Sequence, residues 1–441
     1  MKVIIIGGDA AGMSAASKLK RVQKDCDITI YEKGSYLSYA ACGLPYYLTS
    51  PDINKDDLIQ RTKEEFEATG LRPILLHEVI QVQPESKKVL VRDLSSGEEF
   101  EDTYDKLMIA TGARPIVPPF PGVDLDGVTT LKTIDDGVFM KEKLAQINDI
   151  TIVGGGYIGV EVAERLALAG KKVRIIEMAS RILMPFDPEI AVFASQELID
   201  LGVEINVEEK LTAIEGNLKV ERVVTDKGTY ETDLVVLALG VRPATDFLKD
   251  SGINLAKNGA VIIDREMRTN IADIYSAGDC AEVYNFIKEQ NSYIALATTA
   301  NKCGRIVGEN LAGQHIEFVG TLGSSALKVG KLELARTGLS ENEARESGWE
   351  CQSVLVEANN IPHYFSESTP IWFKIIYEKG TKRILGAQGA GQQGVVLRMD
   401  VFASAIYNKM STEELGMLDL CYAPPFSTVW DAIHIAANVA K

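Results

Sequence analysis

The chain has 441 residues, too many for one ordinary core, so two or three domains with a large buried interior are expected. Its 46 Lys and Arg against 62 Asp and Glu leave a formal charge of −16, which disfavours nucleic acid and anionic membrane as partners and requires any anionic ligand to find a local basic pocket. The six cysteines show no CxxC or zinc-type spacing, and no apolar run is long enough to span a bilayer, so a structural metal, a disulfide framework and a membrane anchor are not expected.

The first element reads VIII at 3 to 6, then a turn at Gly7, Gly8 and Asp9, then an apolar-patterned helix, then the strand ITIY ending at Glu32. This is the βαβ start of a doubly wound sheet. Gly7 and Gly12 stand where a dinucleotide turn needs them, but Asp9 replaces the middle glycine, so this copy alone leaves its ligand open. The N-terminus carries no cleavable signal pattern, and with no disulfide framework a reducing cytoplasm fits best.

Ten residues after Glu32 comes Cys42, in SYLSYAACGLPYYL. Cysteines usually pack as small hydrophobes, and the other five are assigned to that role. Cys42 differs because it precedes Gly43 and Pro45, where the chain must turn after a nucleotide-binding strand. A helix N-terminus there favours thiolate.

DKLMIATGARPIVPPFPG then runs from a buried strand through Thr111 and Gly112 into a Pro-rich crossover. The second strand–turn–helix, about 150 residues after the first, reads ITIVGGGYIGVEVAERLALAG and then VRIIEM. Gly154, Gly156 and Gly159 supply the tight turn, the close approach to a pyrophosphate and the helix packing, with Tyr157 and Ile158 between them. Glu177, eighteen residues on, suits a ribose diol and would repel a 2′-phosphate, which favours NADH, while Arg181 stands where it can weaken that preference. A second crossover, DLVVLALGVRPATDFL, contains Gly240; TNIADIYSAGDC then returns as a strand ending at Gly278 and Asp279. Beyond about residue 320 the texture changes to alternating strands and a helix-rich tail, a separate α+β module.

Taken together, GGDAAGMSAA, EKGSYLSYAACGLPYYL, ATGARP, GGGYIGVEVAE, YSAGDC, TTANKCGR and CYAPPFSTVWD resemble the single-cysteine branch of the pyridine nucleotide-disulfide oxidoreductases over essentially the whole chain, with the nearest likeness to coenzyme A disulfide reductases. The resemblance implies an α/β fold with an FAD-binding domain at 1–112 and 243–320, an NAD(P)-binding domain at 113–242 and a C-terminal dimerisation domain at 321–441 of a homodimer. It places FAD on Gly7, Gly12, Glu32, Lys33, Thr111, Gly112, Asp279, Ala297 and Thr298, and the nicotinamide nucleotide on the GGGYIG turn, Glu177 and Gly240.

Dithiol members carry a second cysteine five residues after the first; here that position is Tyr47, so Cys42 is expected to hold a mixed disulfide or a sulfenic acid. Peroxide- and oxygen-reducing members carry a histidine in the first helix turn, where this chain has Ala10, which argues against those activities. The likeness also implies that Tyr364 and Tyr422 assist a leaving thiolate, and that Arg21, Ser38, Asn301 and Arg305 bind coenzyme A, with Lys18 and Arg61 weaker candidates. An alignment shifted by one residue would put Phe365 at the first tyrosine position, and His434 is read as a solvated or helix-packed residue. The rival readings are a coenzyme A persulfide or polysulfide reductase, although no rhodanese-like extension follows residue 441, and a non-enzymatic flavin redox sensor, which has no need of the intact GGGYIG unit.

Overall fold

The computed structural model describes residues 1–440. The chain divides into two compact units, one comprising residues 1–116, 132–138 and 241–321, the other 117–131, 139–240 and the remainder from 322.

In the first unit, Lys2–Ile6 lies in the middle of a five-stranded parallel sheet, between Lys106–Ile109 and Asp27–Tyr31, with Ile274–Ser276 and Arg72–Ile74 at the edges. Parallel strands are covered on both faces, which is why VIII is an unbroken apolar run, each residue at most 4% exposed. Helix Ala10–Val22 packs against helix Ala297–Leu311, and small residues permit the approach. A Cβ on Gly304 would come within 2.2 Å of the Ala11 carbonyl oxygen, so Gly304→Ala would force the two helices apart. The crossover strands Ala113–Pro115 and Val241–Pro243 pair antiparallel.

The second unit holds a five-stranded parallel sheet with Asp149–Val153 in the middle, between Lys172–Ile176 and Leu234–Leu237. It also holds an antiparallel five-stranded sheet in the order Ser325–Val329, Leu332–Gly338, Ile384–Gly391, Pro370–Glu378, Cys351–Asn359. Helices Val395–Tyr407 and Ala432–Val439 pack on that sheet.

The C-terminal sheet shares one compact unit with the second parallel sheet. Their joint includes Lys374, 2% exposed, whose ammonium lies 3.2 Å from Asp187, 3.1 Å from Glu189 and 2.8 Å from Glu341. Residues 132–138 belong to the first unit. They pack on helix Leu44–Thr49, with Gly137 leaving no room for a Cβ beside Leu44 and Tyr47. No helix among the described residues is long and apolar enough to cross a membrane.

Candidate active site

The two glycine turns are built alike. Gly7 and Gly154 take φ of +106° and +109°, and a Cβ on either would strike a backbone carbonyl, that of Ala110 or of Ala238, at 2.2 and 2.4 Å. Glu32 Oε2 accepts the Gly8 amide at 2.7 Å and Oε1 that of Gly34 at 2.6 Å. Glu177 likewise accepts the amides of Gly155 at 2.6 Å and Ala179 at 2.7 Å. Both helices that follow begin without a side-chain cap, so their first N–H groups stay available to an anion. Asp9 is the N-cap of the first helix, with φ −111°, a conformation that needs no glycine. Its half-buried carboxyl is pushed up to about 6 by burial and by Glu32, against the pull of Lys132.

The structure fits the two dinucleotides expected. Around the first turn, Thr111 Oγ1 is buried without a partner, and a Cβ on Gly112 would meet only open space. Asp279 lies 3.8 Å from Lys132, and exposed Ala297 and Thr298 open a fifteen-residue helix whose N-terminus is also uncapped by a side chain. These groups and the Glu32 cradle would hold FAD, with Lys33 exposed beside Glu32. At the second turn, a Cβ on Gly156 would likewise point into open space, Ile158 is 37% exposed and Gly240 takes φ +91°.

Two side chains at the second turn are committed to neighbours within the fold. The Tyr157 side chain is engaged elsewhere: its hydroxyl is bonded to Ser325 Oγ at 2.7 Å and its ring lies against Phe186. Arg181 is bound to its own loop, donating Nη2 to the carbonyls of Phe186 at 2.8 Å and Met184 at 3.2 Å, so it does not stand ready for a 2′-phosphate.

The segment after Glu32 folds back over the first turn. The Ser38 amide donates to the Gly8 carbonyl at 2.9 Å, and Ser38 takes φ +45°, a strained conformation for a residue with a side chain. Ser38 lines a groove of about 400 Å³ with Arg21, Asn301 and Arg305, and also with Ser14, Ser17, Arg61 and Lys302. Among the described residues, Arg21, Arg61, Lys302 and Arg305 have no carboxylate partner, whereas Lys18 is consumed by an ion pair with Glu309. Arg61 lies over the Phe66 ring at 4.2 Å, which fixes the guanidinium at the groove wall. Asn301 spans the helix pair, accepting from Ser14 Oγ at 2.7 Å and donating to the Ala297 carbonyl. Lys302, Ser14 and Ser17 were not singled out from sequence; the i, i+3 and i, i+4 spacing of Ser14, Ser17 and Arg21 was the available signal.

Cys42 is exposed, in the short turn Ala41–Gly43 just before helix Leu44–Thr49. The turn is pinned from outside, since the Ala40 amide donates to the Leu58 carbonyl at 2.8 Å and a Cβ on Gly43 would collide with Leu58. Cys42 stands four residues beyond Ser38, hence within about 14 Å of it by chain reach. Tyr47 is buried, at 7% exposure. Of the five cysteines expected to be buried, Cys26, Cys280 and Cys303 are; burial pushes the Cys303 thiol up to about 12. Cys421 is exposed and Cys351 only partly covered, because one lies in the surface loop after Leu418 and the other opens an edge strand.

In the second unit, Tyr364 and Tyr422 are 64% and 49% exposed. Phe365 packs against Tyr364 with ring centroids 5.0 Å apart and is the less exposed of the two, so the hydroxyl-bearing ring is the outward one. Arg398 ties their loops together, donating to the carbonyls of Asn360 at 3.0 Å and Phe426 at 3.2 Å. His434 is helix-packed, with Nε2 2.8 Å from the Leu418 carbonyl.

Residues 1–304 match the pyridine nucleotide-disulphide oxidoreductase family and residues 324–433 match its dimerisation domain. The NAD(P)H sulfur oxidoreductase (CoA-dependent) of Pyrococcus furiosus is 38% identical over 100% of this chain and 99% of its own. The NAD(P)H coenzyme A polysulfide/persulfide reductase of Pyrococcus horikoshii is 36% identical over 100% and 98%. The structure of reduced CoADR-RHD from Bacillus anthracis superposes with a TM-score of 0.96 at 33% identity, covering 100% of this chain and 80% of that one. With both glycine turns, the dimerisation domain and full-length relatives in agreement, the chain belongs to the pyridine nucleotide-disulphide oxidoreductase family.

Proposed function

We propose that this enzyme is an FAD-dependent NAD(P)H oxidoreductase that reduces coenzyme A disulfide, or a related low-molecular-weight disulfide, at Cys42 of a cytoplasmic homodimer. The observation that carries the reading is the groove: four cations without carboxylate partners gathered in a chain of net charge −16, beside the segment that bears the exposed cysteine. Such a set suits a ligand with several phosphates and a thiol arm.

FAD, when bound, supplies the two-electron chemistry that carries reducing equivalents from the nicotinamide to the Cys42 sulfur. The chain's own part is to hold and orient. Glu32 and Glu177 fix the two glycine turns, and the groove holds the phosphates. Cys42 Sγ, as thiolate, attacks one sulfur of the disulfide; the new S–S bond forms as the old one breaks, and the departing thiolate takes a proton. The exposed phenols of Tyr364 and Tyr422, contributed by the other subunit, are the proposed donors.

A persulfide or polysulfide substrate is the second reading, supported by the names of the two Pyrococcus relatives. The mass of Cys42 as isolated tests the coenzyme A assignment, since a mixed disulfide adds coenzyme A less two hydrogens and a sulfenic acid adds one oxygen. Steady-state assays with coenzyme A disulfide, coenzyme A persulfide and hydrogen peroxide then separate the substrates. Ala10 offers no donor to a sulfenate, so peroxide turnover should be slow and end in overoxidised Cys42; sustained peroxide turnover above both sulfur substrates would refute the proposal.

A further inference from the structure

Past Glu177 the chain forms a strap, residues 181–187, before helix Pro188–Asp200. Ile182, Leu183 and Phe186 are fully buried, and Leu183 takes φ +50°, a conformation that a branched residue holds only where its surroundings impose it. In this conformation the Leu183 amide donates to the Gly155 carbonyl at 2.8 Å and its carbonyl accepts the Phe186 amide at 2.9 Å. Ile182 fills the space beside Gly155, where a Cβ would come within 2.5 Å of its side chain. Gly155 is the same residue whose amide Glu177 accepts. The strap is therefore the floor of the nucleotide turn.

Part of the bracing of that floor comes from the C-terminal sheet. Arg336, on strand Leu332–Gly338 and 7% exposed, donates Nη1 to the Pro185 carbonyl in the strap. Its Nη2 donates to the Gly338 carbonyl at 3.0 Å and pairs with Glu343. Two residues further, the Asp187 amide donates to Gln388 Oε1 at 2.7 Å, so the strap is gripped at two nearby points by neighbouring strands of one sheet. A guanidinium suits the first point because its planar fork reaches two carbonyls and a carboxylate at once, which a lysine ammonium on its flexible stem does not match.

We propose that Arg336 is a positioning residue for the pyridine nucleotide. By holding the Pro185 carbonyl it fixes the strap, and through the Leu183 to Gly155 bond it sets the turn that receives the pyrophosphate. The affinity for NAD(P)H is thus set partly by a residue of the dimerisation domain that does not belong to the nucleotide turn. This rests on the assignment of GGGYIG as the nucleotide site.

The test uses the full-length, FAD-loaded enzyme with Arg336→Ala and Arg336→Lys. Loss of the brace leaves a buried carbonyl unsatisfied, and the dissociation constant for NAD⁺ by calorimetry should rise about tenfold in the alanine variant. The KM for NADH should rise in step, while kcat at saturating NADH and the KM for the disulfide stay within about twofold, since only nucleotide binding is altered. Millimolar guanidinium should restore NADH affinity to Arg336→Ala and leave wild type unchanged. Glu343→Gln, which removes the ion pair but not the bond to Pro185, should keep wild-type NADH affinity. A lower melting temperature with unchanged NAD⁺ affinity would make Arg336 merely structural and overturn the proposal. If Arg336→Ala does not fold, unchanged NAD⁺ affinity in Arg336→Lys overturns it equally. Wild type that binds neither NAD⁺ nor NADP⁺ would overturn the nucleotide assignment itself, and the brace with it.

Discussion

Glu177 accepts the Gly155 amide at 2.6 Å with one carboxylate oxygen and the Ala179 amide at 2.7 Å with the other, so the residue expected to meet the ribose also ties the strand end to the glycine turn. Glu177→Ala should therefore raise the KM for NADH by about tenfold or more and narrow the preference over NADPH, because a repulsive charge and two amide acceptors are lost together. Glu177→Gln, which keeps one acceptor oxygen, should retain more NADH affinity than alanine. The measurement is steady-state kinetics with both nucleotides, and a wild type that prefers NADPH strongly would refute this reading of Glu177.

Cys42→Ser should abolish disulfide turnover yet leave a yellow protein that NADH still bleaches. The Glu32 cradle, Thr111 and Asp279, which would hold FAD, stand at a distance in sequence from the substituted sulfur, and a serine hydroxyl fits the same exposed turn. Anaerobic absorbance titration with NADH, followed by addition of coenzyme A disulfide, reads both outcomes. Disulfide turnover surviving in the variant would remove Cys42 from the chemistry.

Arg305→Glu places an anion in the groove opposite Arg21 and Arg61. It should raise the KM for coenzyme A disulfide about tenfold or more while leaving the KM for NADH unchanged, and wild type should itself show a salt-dependent KM for the disulfide, since exposed charge contacts are screened by added salt. A parallel assay with a small uncharged disulfide separates phosphate binding from thiol reactivity. Equal loss with both disulfides would mean that the groove does not hold phosphate.

Asp9 gives a pH dependence of known sign. Its carboxyl is held at about 6, raised from 3.8 chiefly by burial, so the folded chain keeps the proton over a range where the unfolded chain has lost it. Stability from this group is full below about pH 4, declines as pH rises to about 6 and is gone above that. Asp9→Asn should stabilise the protein by roughly 1–3 kcal/mol at pH 7.5 and by almost nothing at pH 4. Urea unfolding of both proteins at the two pH values checks it; equal differences at both would show that Asp9 is not the titrating group.

What the sequence determined was whatever depends on short backbone geometry. The spacing of Gly154, Gly156, Gly159 and Glu177 dictates a strand, a tight turn, a helix start and a returning acid, and these formed as read. Gly7, Gly12 and Glu32 did so too, with Asp9 tolerated because its φ is negative. The turn that exposes Cys42 was legible for the same reason, since Gly43 and Pro45 restrict the chain within a few residues of it.

Only the tertiary structure decided which side chains are spent and which remain available. Arg181 and Lys18 looked available from their neighbours in sequence, but one is bonded to the carbonyls of a loop that closes under the glycine turn and the other to Glu309 on a helix nearly 300 residues away. The groove joins Arg21, Arg61 and Arg305 only because helices Ala10–Val22 and Ala297–Leu311 pack closely through glycine and alanine. The merging of the C-terminal sheet with the second parallel sheet turns on buried Lys374 and Arg336, whose partners lie about 150 to 190 residues earlier in the chain. Hydrogen bonds and ion pairs are exclusive, and a donor committed to a distant carbonyl is lost to a ligand; that commitment is settled by packing between remote segments, which no local pattern encodes.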